Sequence, residues 1–130
     1  MPSHQAMRSA IRSTWLNRQN WEFDSGIQVH TIFLLGQEKP DLTGIEVKRE
    51  AEKFNDILQS DFKESHYNLA IKDHDFFNFI VEQCPEIDFA VKGDDDILIV
   101  PQNLAYMIDG LKTSRVSFEK CVAISRTGIF

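Results

Sequence analysis

A chain of 130 residues with 42% hydrophobic and 26% charged content is long enough to bury one core and is not composed like a disordered tail. Its 14 basic and 20 acidic residues give a formal charge of -6, which argues against broad electrostatic contact with nucleic acid or an anionic membrane. No apolar run approaches the ~20 residues that span a bilayer, and the start MPSHQAMRSAIRS lacks the long apolar stretch of a signal peptide.

Between Gln5 and Arg18, the residues Met7, Ile11 and Trp15 lie one turn apart, the pattern of an amphipathic helix, and Arg8 and Arg12 share one of its faces. From Ile27 to Leu35 both sides are apolar, as in a buried parallel strand, and Gly36 is expected to end it. A loop around Lys39-Pro40-Asp41 leads into a charged surface helix from Ile45 to about Asn55, with Val47, Ala51 and Phe54 at helical spacing. Asp56 to Gln59 reads as a short strand. Tyr67 to Gln83 reads as a longer helix with Leu69, Phe76, Ile80 and Cys84 along one stripe, stopped by Pro85. Ile87 to Lys92 and Ile97 to Val100 are β-rich runs flanking Gly93-Asp94-Asp95-Asp96. Pro101 suits the first turn of a helix that buries Leu104, Met107, Ile108 and Leu111, and Cys121 to Ile124 is a last β-like run. This alternation predicts an α/β layer with a mostly parallel sheet, in which ligands bind beyond the carboxyl ends of strands. With no repeat and no internal boundary, residues 1–130 read as one domain.

The aspartate run carries the clearest chemistry. Three adjacent carboxylates repel one another, and a hard divalent ion that accepts oxygen ligands would relieve the repulsion. In an extended segment Asp94 and Asp96 point to the same side and Asp95 to the other, toward a sugar hydroxyl or a basic partner. A solvated acidic turn fits the same three residues, and the pattern alone does not separate the two readings. Arg8 and Arg12 form either a diphosphate-binding pair or an exposed basic face. His4, His30, His66 and His74 lack metal-ligand spacing, the six glycines form neither a P-loop nor GxGxxG, and no nucleophile motif is present. Cys84 and Cys121 form no CxxC pair and fit two free thiols or one bridge.

Four segments taken together carry a resemblance: Arg8-Ser9-Ala10-Ile11-Arg12-Ser13-Thr14-Trp15, then Ile32-Phe33-Leu34-Leu35-Gly36, then Asp56 to Phe62 running through to Tyr67-Asn68-Leu69-Ala70-Ile71-Lys72, and Phe89-Ala90-Val91-Lys92-Gly93-Asp94-Asp95-Asp96. In order and spacing they resemble the β-1,3-glycosyltransferases of glycosyltransferase family 31, which include β-1,3-galactosyltransferases and β-1,3-N-acetylglucosaminyltransferases. The resemblance implies a GT-A-type, Rossmann-like sheet with flanking helices, whose carboxyl-terminal part is missing here. It implies a hexosyltransferase that moves a sugar from a UDP-sugar to a glycan or glycoprotein acceptor in β-1,3 linkage with inversion. By matching positions, Asp94 and Asp96 would hold Mn2+ or Mg2+, and Arg8, Arg12, Asp61, Lys72 and Asp95 would serve the donor. The general base is expected beyond Phe130. The resemblance further implies a Golgi membrane location on the lumenal side, through an anchor absent from this chain. Two positions depart from the family pattern: Asn68-Leu69-Ala70-Ile71-Lys72-Asp73 stands for an NLTLKT-like run, and Leu16 follows Trp15 where glycine is frequent.

Two other readings are available. One is a non-catalytic UDP-sugar-binding or interaction module that keeps the fold without turnover. The other, phosphotransfer through a DxDxT motif, would need threonine where Leu98 stands.

Overall fold

The computed structural model describes residues 1–21, 28–38, 42–113, 121–125 and 128–129. Helices and strands alternate in the order α1 (Gln5–Ser13), β1 (Phe33–Gln37), α2 (Leu42–Phe54), β2 (Ile57–Lys63), α3 (Leu69–Gln83), β3 (Ala90–Lys92), α4 (Pro101–Thr113), β4 (Cys121–Ser125) and β5 (Gly128–Ile129). Short 3-10 turns occupy Arg18–Trp21 and His66–Asn68. The fold is mixed α/β with parallel strand pairs and flanking helices, as expected from the sequence. No helix among the described residues is long and apolar enough to cross a membrane.

The chain forms two compact units, each assembled from two segments: Met1–Arg8 with His30–Pro85, and Ser9–Val29 with Glu86–Phe130. In the first, β1 and β2 pair in parallel with Phe33 opposite Ile57 and Leu35 opposite Gln59. Parallel neighbours need a crossover, which α2 provides. Val47 is 2% exposed, and Glu50 and Ala51, three and four residues on, share its inward face. Asn55 ends α2 in a left-handed conformation (φ 52°), which asparagine adopts more readily than most residues, and its amide still donates to the Ala51 carbonyl at 2.9 Å. Helix α3 packs on both strands. Leu35, Phe62 and Phe76 fill the core between them.

In the second unit β3 pairs in parallel with β4, Ala90 opposite Cys121 and Lys92 opposite Ala123, and β4 turns back antiparallel onto β5. The turn Arg18–Trp21 packs against α4, which buries Leu104, Ala105 and Ile108. Met107 and Leu111 are half-buried on the same helix.

Several expected boundaries differ. Helix α1 stops at Ser13 rather than Arg18, because the Thr14 hydroxyl donates to the Ala10 carbonyl at 2.7 Å and the Ser13 hydroxyl to the same oxygen at 3.0 Å. Such hydroxyls compete with the amides that would continue the helix. Strand β1 begins at Phe33, where its amide meets the Asp56 carbonyl at 2.7 Å, and residues 28–32 have no strand partner; Ile27 lies outside the described residues. Gly36 does not end β1 but sits inside it. A Cβ there would lie 2.6 Å from Phe62 Cε2 and 2.7 Å from the Phe62 carbonyl oxygen, so the strand requires glycine at this point. The expected strand at Asp56 to Gln59 continues to Lys63. Ile97 to Val100 is not a strand: it has no paired neighbour among the described residues, and Val100 instead supplies the carbonyl that accepts the Leu104 amide at 3.2 Å as α4 begins. The loop at Lys39-Pro40-Asp41 lies outside the described residues.

Candidate functional site

Of the expected donor and metal residues, Arg8, Asp61 and Lys72 belong to the first unit, and Arg12, Asp94, Asp95 and Asp96 to the second. In the second unit β3 ends at Lys92, and Asp95 and Asp96 form a turn that begins three residues further on. The aspartates therefore occupy the carboxyl end of a parallel strand, as the sequence predicts. They do so in a turn rather than an extended run, so strand alternation does not set their directions. Asp94 and Asp96 are exposed all the same, and Asp95 is half-buried. Gly93 leaves room for the Ile97 side chain, whose Cδ1 would touch an added Cβ.

Exposed carboxylates two positions apart, Asp94 and Asp96, are oxygen donors of the kind suited to a hard divalent cation that keeps water and phosphate among its ligands. Among the described residues no group of three His, Cys, Asp or Glu side chains closes round one point. Arg12, one turn beyond Arg8 on α1, is half-buried.

Arg8 is placed otherwise than a solvent-facing phosphate ligand. Its side chain is 1% exposed, with Nε and Nη2 donating to Glu50 Oε1 and Oε2 at 3.0 and 2.7 Å. Nη1 donates to the Met1 carbonyl at 2.7 Å and Nη2 to that of Pro2 at 3.0 Å. One guanidinium thereby ties the amino-terminal residues and the start of α1 to α2.

The other two residues of this unit lie at the carboxyl end of the β1–β2 pair. Asp61 is exposed near the end of β2 and accepts a hydrogen bond from Gln37 Nε2 at 2.9 Å. Lys72, on the first turn of α3, reaches Glu64 with Nζ 3.1 and 3.3 Å from its two carboxylate oxygens. Asn68 holds the intervening turn by donating from Nδ2 to the Lys63 carbonyl at 2.8 Å. Sequence reasoning did not single out Glu64, Gln37 or Glu50; their partners are 8, 24 and 42 residues away, and no motif marks them. Cys84 is a free, half-buried thiol at the end of α3.

A galactosyltransferase family model matches residues 6–127, nearly the whole chain. The chain belongs to the galactosyltransferase family. It is 37% identical over 109 residues to human N-acetyllactosaminide β-1,3-N-acetylglucosaminyltransferase 4, covering 84% of this chain and 28% of that protein. It is 36% identical over 115 residues to human lactosylceramide 1,3-N-acetyl-β-D-glucosaminyltransferase, covering 85% of the chain and 30% of the relative. With mouse β-1,3-galactosyltransferase 1 the identity is 33% over 101 residues, 78% of the chain and 30% of the relative. The chain therefore spans less than a third of the length of these curated relatives. Among the described residues of this galactosyltransferase-family chain, polar side chains gather beyond parallel strands at the aspartate turn and at the end of the β1–β2 pair.

Proposed function

We propose that the chain is the donor-binding part of a metal-dependent hexosyltransferase of the lumenal Golgi membrane, which transfers a sugar from a UDP-sugar to a glycan or glycoprotein acceptor in β-1,3 linkage with inversion. The fold assigned to it is of the GT-A type, a Rossmann-like sheet with flanking helices. One observation carries the reading: in a chain of this family, Asp94, Asp95 and Asp96 occupy a turn just past the parallel strand β3, with Asp94 and Asp96 open to solvent.

Carboxylates alone repel a diphosphate. Mn2+ or Mg2+ held by Asp94 and Asp96 would supply the positive charge that a departing UDP requires. Asp94 and Asp96 would orient the diphosphate, and Asp95 would receive a sugar hydroxyl or a basic neighbour. Arg12 is assigned to the donor's negative charge, and Arg8, buried against Glu50, to holding the helix that bears Arg12. Asp61 and Lys72 are likewise assigned to donor binding. No residue of this chain is assigned as the general base that takes the acceptor's hydroxyl proton.

Isothermal titration with UDP, with and without Mn2+, tests this directly, followed by UDP-galactose, UDP-N-acetylglucosamine and UDP-N-acetylgalactosamine. Binding that depends on the metal is expected. A folded sample that shows no metal-dependent heat with UDP or any of the three sugars would sink the reading.

A further inference from the structure

The parallel ladder of β1 and β2 breaks step at its carboxyl end. Leu35 pairs with Gln59 and Gln37 with Lys63, so β1 advances two residues while β2 advances four. Ser60, Asp61 and Phe62 thus stand opposite the single residue Gly36. Irregularities of this kind re-aim side chains at the ends of sheets.

Side chains take over where the ladder fails. The Gly36 amide donates to Glu64 Oε2 at 2.7 Å, and the Gly36 carbonyl accepts from Gln59 Nε2 at 3.3 Å. The Glu64 amide returns to the Gln37 carbonyl at 2.8 Å. The Glu64 side chain is only 3% exposed, and its charge is met by Lys72, whose own side chain is 16% exposed. Next to this buried assembly Gln37 holds the exposed Asp61 carboxylate at 2.9 Å.

We infer that Glu64 is a positioning residue of the donor site: neutralised by Lys72, it pins Gly36 and Gln37 and thereby sets the Asp61 carboxylate. Lys72 acts on the donor through Glu64 rather than as a free cation. To reach a phosphate directly, the ammonium would have to abandon a buried carboxylate that also carries a backbone amide, and a buried charge left alone is strongly disfavoured. A role in packing alone would be met by an apolar side chain at 64. The geometry instead places a charged pair on one backbone amide, next to the strand's last paired residue, Gln37. This inference rests on the UDP-sugar reading above.

The test is UDP titration in the presence of Mn2+ on the wild-type chain, Glu64→Gln, Lys72→Met and the double variant, each well below its own melting temperature. Positioning predicts that either single substitution weakens UDP by about tenfold, the lower end of the loss when an outer support of a binding site is removed. The double variant should be no weaker than either single one, because both break the same link. If Lys72 contacts the donor directly, Glu64→Gln frees it and UDP binds as well or better, while Lys72→Met alone weakens binding; that result overturns the inference. Lowered melting temperatures with unchanged affinity do the same. Should Glu64→Gln not fold, Gln37→Leu, at an exposed site, cuts only the link to Asp61 and is expected to weaken UDP; unchanged affinity there also overturns it. A wild-type chain that binds no UDP fails the functional reading first.

Discussion

Arg8 and Glu50 form a two-point ion pair, with Nε to Oε1 at 3.0 Å and Nη2 to Oε2 at 2.7 Å, and both side chains are 1% exposed. The remaining donors of Arg8 are not idle, since the carbonyls of Met1 and Pro2 accept from Nη1 and Nη2. A guanidinium so enclosed has exchanged water for four protein oxygens, which offsets the cost of its burial.

Removing one partner leaves the other charged and buried. Glu50→Ala is therefore expected to cost about 3–5 kcal/mol in urea denaturation. Arg8→Met combined with Glu50→Leu should recover most of that loss, because neither charge is then stranded. Additive losses in the double variant would show that the pair is not acting as one unit.

Two glycines in different surroundings should respond in opposite directions. Gly36→Ala forces a Cβ to within 2.7 Å of the Phe62 carbonyl oxygen, an atom that moves only with the strand, so a loss of about 1–3 kcal/mol is expected. Gly44, on the exposed face of α2, has nothing within 4 Å of an added Cβ. Gly44→Ala should stabilise by about 0.5–1 kcal/mol through helix propensity. Denaturant midpoints that move the same way in both variants would contradict this.

Phe76 and Phe77 are neighbours in edge-to-face contact, with ring centroids 5.3 Å apart, but Phe76 is 7% exposed and Phe77 43%. Phe76→Ala opens a cavity beside β1 and β2 and is expected to cost about 3–5 kcal/mol. Phe77→Ala should cost clearly less, since much of its ring is already in water. Thermal melts of the two variants check the ranking.

Asp96→Ala is expected to abolish metal-dependent UDP binding while leaving stability within about 0.5 kcal/mol of wild type, because the residue lies exposed in a turn outside the core. Titration and melting are read on the same sample. Unchanged UDP affinity would overturn the assignment of the ion to Asp94 and Asp96.

The helices α2, α3 and α4 were legible because their apolar residues recur with the helical period, and Val47, Phe76, Leu104 and Ile108 are buried where that period puts them. The aspartates were legible for a similar local reason: an apolar strand followed by glycine and acid predicts a strand end. Local rules also explain the errors. Ile97 to Val100 has the composition of a strand, but a strand needs a neighbour, and composition does not say whether one is at hand. Gly36 looked like a terminator until Phe62, 26 residues on, turned out to fill the space its side chain would need.

By itself the sequence determined the α/β alternation, the family and the order of the segments that bear the site residues, since each of these is written in short-range patterns. Only the tertiary structure decided what those residues do to one another. Arg8 became a buried tie to Glu50, and Lys72 the counter-charge of Glu64, which holds Gly36. A guanidinium or ammonium has the same identity in a motif whether it faces a phosphate or a carboxylate. Which partner it meets depends on the crossover and register that bring distant residues together, and a linear motif does not contain that information.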